Sequence, residues 1–294
     1  MTPLLTLPTA DTAVDWTALE NFAALRGQLR VSLTPRCNIA CYFCHNEADV
    51  PPPLTRRDRV QQPRRRDIGA EDFLTVIRAM TRRGLRRIYF SGGEPLTSPL
   101  AREVLTGLEP LGPDGSYTLI TNGTRIRTHR SWLGDTLLDK IKVSLHYFSD
   151  ESLRAIAGTR IGIDAILDGI DIARGIVDHV ELNCLLLKQN VHEVRHILDF
   201  ALDQRMPVQF IELVETEFNQ DQRSTAVSAD GVIAHLRTLT RDEHSEVVGV
   251  GQGRRVFRVD GVKIEVIHRS LGRHHVGQCG PARSARSASK GSGL

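Results

Sequence analysis

The chain has 294 residues, a formal net charge of +3 and 40% hydrophobic residues. This length is ordinary for one α/β barrel, and the hydrophobic fraction is enough for a sizeable core. The small net charge argues against nucleic acid as a partner, and no apolar run reaches the ~18 residues that a membrane span needs. The N-terminus lacks a basic region followed by a long apolar core, so we expect a cytoplasmic protein without a secretory signal.

Residues 1–26 form a lead-in to the first predicted strand, residues 29–34. A loop that contains cysteines follows this strand. Residues 46–68 are predicted to be an irregular insertion, because the three prolines at 51–53 forbid a helix and leave the backbone extended. This insertion includes the basic segment Arg56–Arg66. Since that segment has no aromatic residues for base stacking, we expect a solvated, mobile loop.

From residue 69 onward, helix and strand patterns alternate along the chain. Apolar residues recur at helical intervals in some segments, whereas others are short apolar runs that end at turn signals. The predicted strands are residues 29–34, 87–90, 117–121, 140–145, 180–187 and 208–213, and the predicted helices are residues 69–84, 98–108, 150–156, 162–176 and 190–203. Such alternation indicates βαβ units and a parallel sheet. We therefore predict an α/β fold, a partial, open (β/α)6 barrel of the TIM type.

The pattern changes after about residue 228. A predicted helix at 228–239 is followed by a hairpin at 256–267 that turns at Asp260-Gly261. The residues from Pro281 onward have no apolar pattern and are expected to be disordered. The predicted organisation is a lead-in (1–26), a barrel (27–227), a C-terminal extension (228–280) and a tail (281–294).

Three cysteines follow the first strand at CxxxCxxC spacing: Cys37, Cys41 and Cys44. Three thiolates without a fourth cysteine nearby suit an iron–sulfur cluster that keeps one iron open for an exchangeable ligand. The alternative is a structural zinc site that His45 completes. The chain has only five cysteines, which fits metal binding in a reducing compartment better than a disulfide framework.

A second motif, Gly92-Gly93-Glu94-Pro95, follows the strand at 87–90. Paired glycines let a backbone approach a ligand closely, and a neighbouring carboxylate can hold an ammonium group. The alternative is an ordinary turn between a strand and a helix. Asn122 also follows a predicted strand, as the cysteines and glycines do, and Ser144 lies near the end of one. Because ligands of such barrels bind at the C-terminal ends of the strands, all of these residues are predicted to surround one site.

Together, the cysteine and glycine motifs resemble those of the radical S-adenosylmethionine (SAM) superfamily, intact and in the usual order. Five further segments occur in the order seen in the cyclase of molybdenum-cofactor biosynthesis, so the chain resembles a MoaA-like protein over roughly residues 27–215. These segments are Leu29–Thr34, Leu119–Gly123, Val143–Leu145, Val180–Asn183 and Phe210–Leu213.

The resemblance implies that Cys37, Cys41 and Cys44 ligate a [4Fe–4S] cluster, whose fourth iron takes the amino and carboxylate groups of SAM. One electron then cleaves SAM to a 5′-deoxyadenosyl radical, which abstracts hydrogen from substrate. Flavodoxin or ferredoxin is the implied type of electron donor. By position in the motifs, Phe43 touches the adenine, Gly92, Gly93 and Glu94 face the methionine end, Ser144 reaches the ribose, and Val214 lines the adenosyl pocket. Thr121 and Asn122 complete the predicted cofactor site, although Asn-Gly is also a turn signal.

Departures from the cyclase affect the expected substrate. Tyr89 stands where the GTP cyclase has a basic residue, Glu181 replaces a lysine, and Gln209 replaces an arginine. Glu181 puts a negative charge where phosphate charge would lie. Arg30 is retained and is a candidate for binding an anionic substrate group. We therefore expect an unidentified small-molecule or peptide substrate, with GTP cyclisation as the alternative.

The C-terminus differs as well. The cyclase holds a second cluster with three more cysteines, whereas here only Cys279 stands at a plausible place and Ala282 occupies the next ligand position. The auxiliary-cluster region is thus reduced, through loss of the second cluster or truncation. A different class of function also fits these losses: a non-catalytic, zinc-stabilised binding protein.

Overall fold

The computed structural model describes residues 27–44, 68–213, 225–247 and 252–269, together with Thr17. Apart from Thr17, the predicted lead-in lies outside the described residues up to residue 26. The predicted insertion up to residue 67 and the predicted tail also lie outside them. Apart from Thr17, the described residues thus belong to the predicted barrel and the C-terminal extension.

Strands and helices alternate through the described chain, as the sequence patterns predict. The strands are β1 (Gln28–Ser32), β2 (Arg87–Ser91), β3 (Ser116–Thr121), β4 (Lys140–Ser144), β5 (His179–Leu186), β6 (Val208–Glu212), β7 (Glu243–Val247), β8 (Gln252–Val259) and β9 (Val262–Arg269). The helices are α1 (Ala70–Arg82), α2 (Ala101–Thr106), α3 (Ile126–Leu133), α4 (Asp150–Ala157), α5 (Asp164–Arg174), α6 (Val194–Asp203) and α7 (Asp230–Leu239), with a 3-10 turn at Pro95–Thr97.

The strands form one sheet in the order β1-β2-β3-β4-β5-β6-β9-β8-β7. The first six strands lie in chain order and pair in parallel, which confirms the predicted open (β/α)6 barrel. The predicted C-terminal hairpin continues this sheet, because β9 pairs in parallel with β6 and antiparallel with β8. Its turn residues, Asp260 and Gly261, have φ values of 50° and 81°, as a two-residue hairpin turn requires.

The two faces of the sheet differ in polarity. One face is fully buried under the helices and supplies core residues such as Phe90, Ile141 and Leu182. The opposite face carries half-buried and mostly polar side chains on β4, β5, β6 and β9. We call these residues the inner wall: Lys140, Lys142, Ser144, Glu181, Asn183, Gln209 and Glu265. The alternation follows from the two-residue period of side chains along a strand.

A lysine–glutamate–lysine group occupies the middle of the inner wall. The Lys140 and Lys142 ammonium groups lie 2.5 Å and 3.1 Å from the two carboxylate oxygens of Glu181. Burial would raise the pKa of Glu181, but the charges and hydrogen bonds of Lys142 and Lys140 outweigh it and hold that pKa below its ordinary value. Two cations thus offset one anion. Lys140 and Lys142 reach Glu181 from the neighbouring strand, so the negative charge that the sequence predicts at Glu181 is paired within the protein.

Two elements do not follow from the sequence patterns. The α3 helix is short and rich in arginine, so its apolar positions, among them Ile126 and Trp132, are too few to show a period. The β7 strand is a polar edge strand that its pairing with β8 defines. No helix within the described ranges is both long enough and apolar enough to cross a membrane.

Replacing Glu181 with glutamine should expose the repulsion between the two lysines. We expect a loss of about 1 kcal/mol in the free energy of unfolding of the metal-free protein at pH 7, because the pair is half-buried rather than fully desolvated. A carboxylate with a lowered pKa contributes stability above its unfolded value near 4.5 and loses that contribution as the pH falls through its folded pKa. The difference between the wild type and Glu181→Gln in urea unfolding should therefore shrink below about pH 5.

The matched control is Glu103→Gln, which changes an exposed glutamate on α2. A pH-independent difference for Glu181→Gln would contradict an electrostatic role for this carboxylate.

Candidate functional site

The cysteine loop, residues 35–44, extends directly from the end of β1 and is held against the end of α4. The backbone N–H groups of Ala40 and Tyr42 donate to the carbonyls of Ala157 and Ile156, at 2.8 and 3.1 Å. These carbonyls belong to the last turn of α4, where no further helical N–H can reach them. The helix ends at Gly158, whose φ of 55° is left-handed. The end of α4 therefore fixes the path of the loop.

The glycine turn, residues 91–94, packs on the start of the cysteine loop. The N–H of Gly93 donates to the Thr34 carbonyl at 2.7 Å, and the N–H of Glu94 donates to the Arg36 carbonyl at 2.8 Å. A Cβ atom on Gly92 would lie 2.4 Å from the Thr34 carbonyl oxygen, and one on Gly93 would lie 2.3 Å from that of Arg36. In this structure the glycines allow backbone to approach backbone, which holds the two motifs together.

Glu94 joins the glycine turn to the end of β3. Its carboxylate is fully buried and accepts hydrogen bonds from the Leu96 N–H (3.0 Å), the Thr121 hydroxyl (2.8 Å) and the Asn122 N–H (2.7 Å). Burial raises the pKa of this carboxyl, and the hydrogen bonds from Asn122 and Leu96 oppose that shift. Three of its roughly four acceptor positions are thus used within the protein. The structure gives Glu94 an internal bracing function, which the sequence motif alone does not reveal.

Asn122 continues this connection to the cysteines. Its side-chain N–H group donates to the Asn38 side-chain oxygen at 3.0 Å and approaches the Cys37 sulfur at 3.8 Å. The Asn122 side-chain oxygen accepts in turn from the N–H and hydroxyl of Thr124. Asn122, which the sequence predicts as a turn residue, therefore also contacts the cysteine loop.

The three thiols lie near one another on the loop but do not surround a common centre as they stand. Burial raises the pKa of the Cys41 thiol to about 12, and the charges of Cys44 and Cys37 add to this effect. Among the described residues, no three His, Cys, Asp or Glu side chains are arranged to hold a metal ion. Cys37 and Cys44 are exposed, so packing leaves their side chains room to rotate toward one centre.

Two aromatic residues of the cysteine loop contact residues that follow β4 and β5. The Phe43 ring meets the His146 ring edge-on at 5.1 Å, and the Tyr42 hydroxyl donates to the Gln189 side chain at 2.7 Å. His146 Nδ1 accepts from the Leu185 N–H at 3.0 Å, and burial lowers the pKa of this imidazole to about 4, so it is neutral near pH 7. His146 was not among the site residues predicted from the sequence. Its position just past the end of a predicted strand is the signal that could have identified it as a site residue.

The remaining predicted site residues lie in different places. Ser144 is at the end of β4, in register with Asn183 on the inner wall. Arg30 lies within β1, is exposed, and pairs in register with Tyr89. Val214 and Cys279 lie outside the described residues.

The donor set fits an iron–sulfur cluster with a small-molecule ligand. Three thiols lie on one loop that the glycine turn braces, at the C-terminal edge of the parallel strands, where barrels of this kind bind ligands. Binding to iron would stabilise the Cys41 thiolate against burial, which raises its pKa most, and against the charges of Cys44 and Cys37.

A family model described as the radical SAM superfamily matches residues 31–201, more than half of the chain. The probable GTP 3′,8-cyclase of Methanocella arvoryzae is 34% identical over 188 residues, which cover 63% of this chain and 56% of that protein. The probable GTP 3′,8-cyclase of Methanosarcina mazei is 30% identical over 243 residues, which cover 81% of this chain and 69% of that protein. The chain thus spans little more than half the length of the first of these relatives.

Solved structures show the same fold at low identity. Streptococcus suis SuiB bound to precursor peptide SuiA has a TM-score of 0.57 and 16% identity, covering 72% of this chain and 46% of that chain. SuiB bound to SAM has a TM-score of 0.52 and 16% identity, covering 65% of this chain and 41% of that chain. Since the family model covers more than half of the sequence and the Methanosarcina mazei cyclase is 30% identical over 81% of this chain, the chain belongs to the radical SAM superfamily as a MoaA-like member.

Proposed function

We propose that this protein is a cytoplasmic radical SAM enzyme in which Cys37, Cys41 and Cys44 hold one [4Fe–4S] cluster. When bound, the cluster and SAM supply an adenosyl radical that abstracts hydrogen from a small-molecule or peptide substrate. One observation carries the proposal: the three-cysteine loop docks on the glycine turn through the two backbone hydrogen bonds to Thr34 and Arg36. A flavodoxin or ferredoxin is the expected electron donor.

The chain's own residues position the cofactors and exclude water. The Phe43 ring, supported by His146, offers an apolar surface for the adenine. Gly92, Gly93 and Glu94 place backbone groups beside the methionine end of SAM, while the Glu94 carboxylate keeps that turn in place through Thr121 and Asn122. Ser144 is assigned to the ribose and Val214 to the adenosyl pocket on the strength of the resemblance.

The substrate is assigned to the inner wall, below the strand ends. Lys140 and Lys142 are only partly neutralised by Glu181, so this wall can accept a substrate with an anionic group. Arg30 is the further candidate on β1. The loss of cations at Tyr89 and Gln209 leaves fewer charges than a triphosphate would require.

Two other functions are distinguishable. GTP cyclisation is favoured by the relatives named GTP 3′,8-cyclase and by the inner-wall lysines. A non-catalytic zinc-stabilised protein is the other alternative, because zinc also binds cysteine thiolates; such a protein would have no open iron for SAM.

Anaerobic reconstitution with iron and sulfide should give a brown protein that binds SAM in calorimetry and releases 5′-deoxyadenosine on reduction. Cys41→Ser should lower this release at least about 100-fold, because even residues that only orient metal ligands cost 10–100-fold when mutated. Cys184→Ala is the matched control, since Cys184 is fully buried in β5 and away from the loop. A colourless protein with one zinc per chain and no SAM binding would refute the enzyme.

Gly93→Ala should push the cysteine loop off the glycine turn, because its Cβ would overlap the Arg36 carbonyl. We expect cluster content after reconstitution to fall about tenfold or more. Gly134→Ala is the control, since a Cβ there meets nothing within 4 Å and its φ is −68°. Equal cluster content in the two variants would show that the close packing of the motifs does not matter for the cluster.

Incubating the reduced enzyme with SAM and GTP should yield no cyclised nucleotide, because the wall lacks the cations for a triphosphate. Liquid chromatography with mass detection reads the product, and 5′-deoxyadenosine release shows that the preparation is active. A cyclised product that Lys142→Ala abolishes would assign the enzyme to GTP instead.

A further inference from the structure

Tyr147 carries a buried hydroxyl without a hydrogen-bond partner among the described residues. The side chain is 0% exposed, just past the end of β4. Two other tyrosines satisfy their hydroxyls: Tyr117 donates to the Glu109 carbonyl at 2.8 Å, and Tyr42 donates to Gln189 at 2.7 Å. An unpaired buried hydroxyl destabilises a fold relative to phenylalanine of the same shape. The protein therefore carries a buried polar group that packing does not explain.

Ring contacts through His146 connect Tyr147 to the cysteine loop. The Tyr147 ring lies edge-on to His146 at 6.0 Å, and His146 lies edge-on to Phe43 of the loop. Burial raises the pKa of the phenol, and charges on Cys41, Cys37 and Glu94 raise it further. These charged groups come from the cysteine loop and the glycine turn, two segments that approach Tyr147 from different strands. The phenol thus stays protonated and can donate a hydrogen bond.

We propose that the Tyr147 O–H donates a hydrogen bond to sulfur of the bound cluster, either a cysteine thiolate or an inorganic sulfide. This inference rests on the proposed function and goes beyond it, since it assigns a residue outside the cysteine and glycine motifs. Sulfur on a reduced cluster carries more negative charge than sulfur on an oxidised one, so such a donor favours the reduced state. Tyr147 is thus a positioning residue that raises the reduction potential of the cluster.

The metal-free and cluster-loaded states of the protein should therefore respond in opposite ways to Tyr147→Phe. In the metal-free chain, the substitution removes an unpaired hydroxyl, so the midpoint of thermal unfolding should stay the same or rise. In the loaded protein, it removes a donor to sulfur. The equilibrium between oxidised and reduced cluster should then shift about tenfold toward the oxidised state, which is about 59 mV for a one-electron couple.

The control is Tyr117→Phe, which removes a satisfied hydroxyl near the start of β3. It should lower the unfolding midpoint of both states alike and leave the reduction potential unchanged. The measurements are differential scanning calorimetry of the metal-free proteins and a redox titration of the reconstituted proteins followed by electron paramagnetic resonance.

The outcomes distinguish a failure of the proposed function from a failure of the inference about Tyr147. A wild-type chain that takes up no cluster overturns the proposed function and, with it, the role of Tyr147. If the wild type binds the cluster and Tyr147→Phe has the same potential, only the inference about Tyr147 is overturned. A lower unfolding midpoint in the metal-free Tyr147→Phe protein would also overturn it, because the hydroxyl would then have a partner within the protein itself.

Discussion

The structure of the site depends on the fully buried carboxylate of Glu94. It accepts three hydrogen bonds and so ties the glycine turn after β2 to the end of β3. The same turn docks on the cysteine loop, and Asn122 at the end of β3 reaches the loop from the other side. An unpaired carboxylate could not be buried at this depth, because its desolvation would cost several kcal/mol. The strand ends and the loop are therefore held in one arrangement.

This arrangement separates the chemistry into two levels. The C-terminal edge of the sheet carries the thiols and the Phe43 ring, which suit a cluster and SAM. The inner wall below it carries the group formed by Lys140, Lys142 and Glu181, which suits a substrate with an anionic group. Because the two levels lie on the same strands, the proposed substrate and cofactor sites share one sheet.

The order of elements and the location of the site were predictable from the sequence. Short apolar runs predicted six strands, and the helical periods between them predicted that these strands are parallel. The cysteines, glycines, Asn122 and Ser144 were placed at strand ends because each lies near or just after the end of a predicted strand. The α3 helix was missed because its arginines obscure its few apolar positions, and β7 was missed because its strand character comes from pairing with β8.

The sequence by itself determined the fold class and the chemical identity of the donors, since local periodicity and motif spacing are properties of the chain order. Only the tertiary structure decided which groups meet. It showed that Glu181 is neutralised by lysines on β4, 41 and 39 residues away in the chain, and that the buried Tyr147 hydroxyl has no hydrogen-bond partner among the described residues. Such contacts depend on strand register and on the path of a loop across a helix end. No pattern within a few neighbouring residues records either of these.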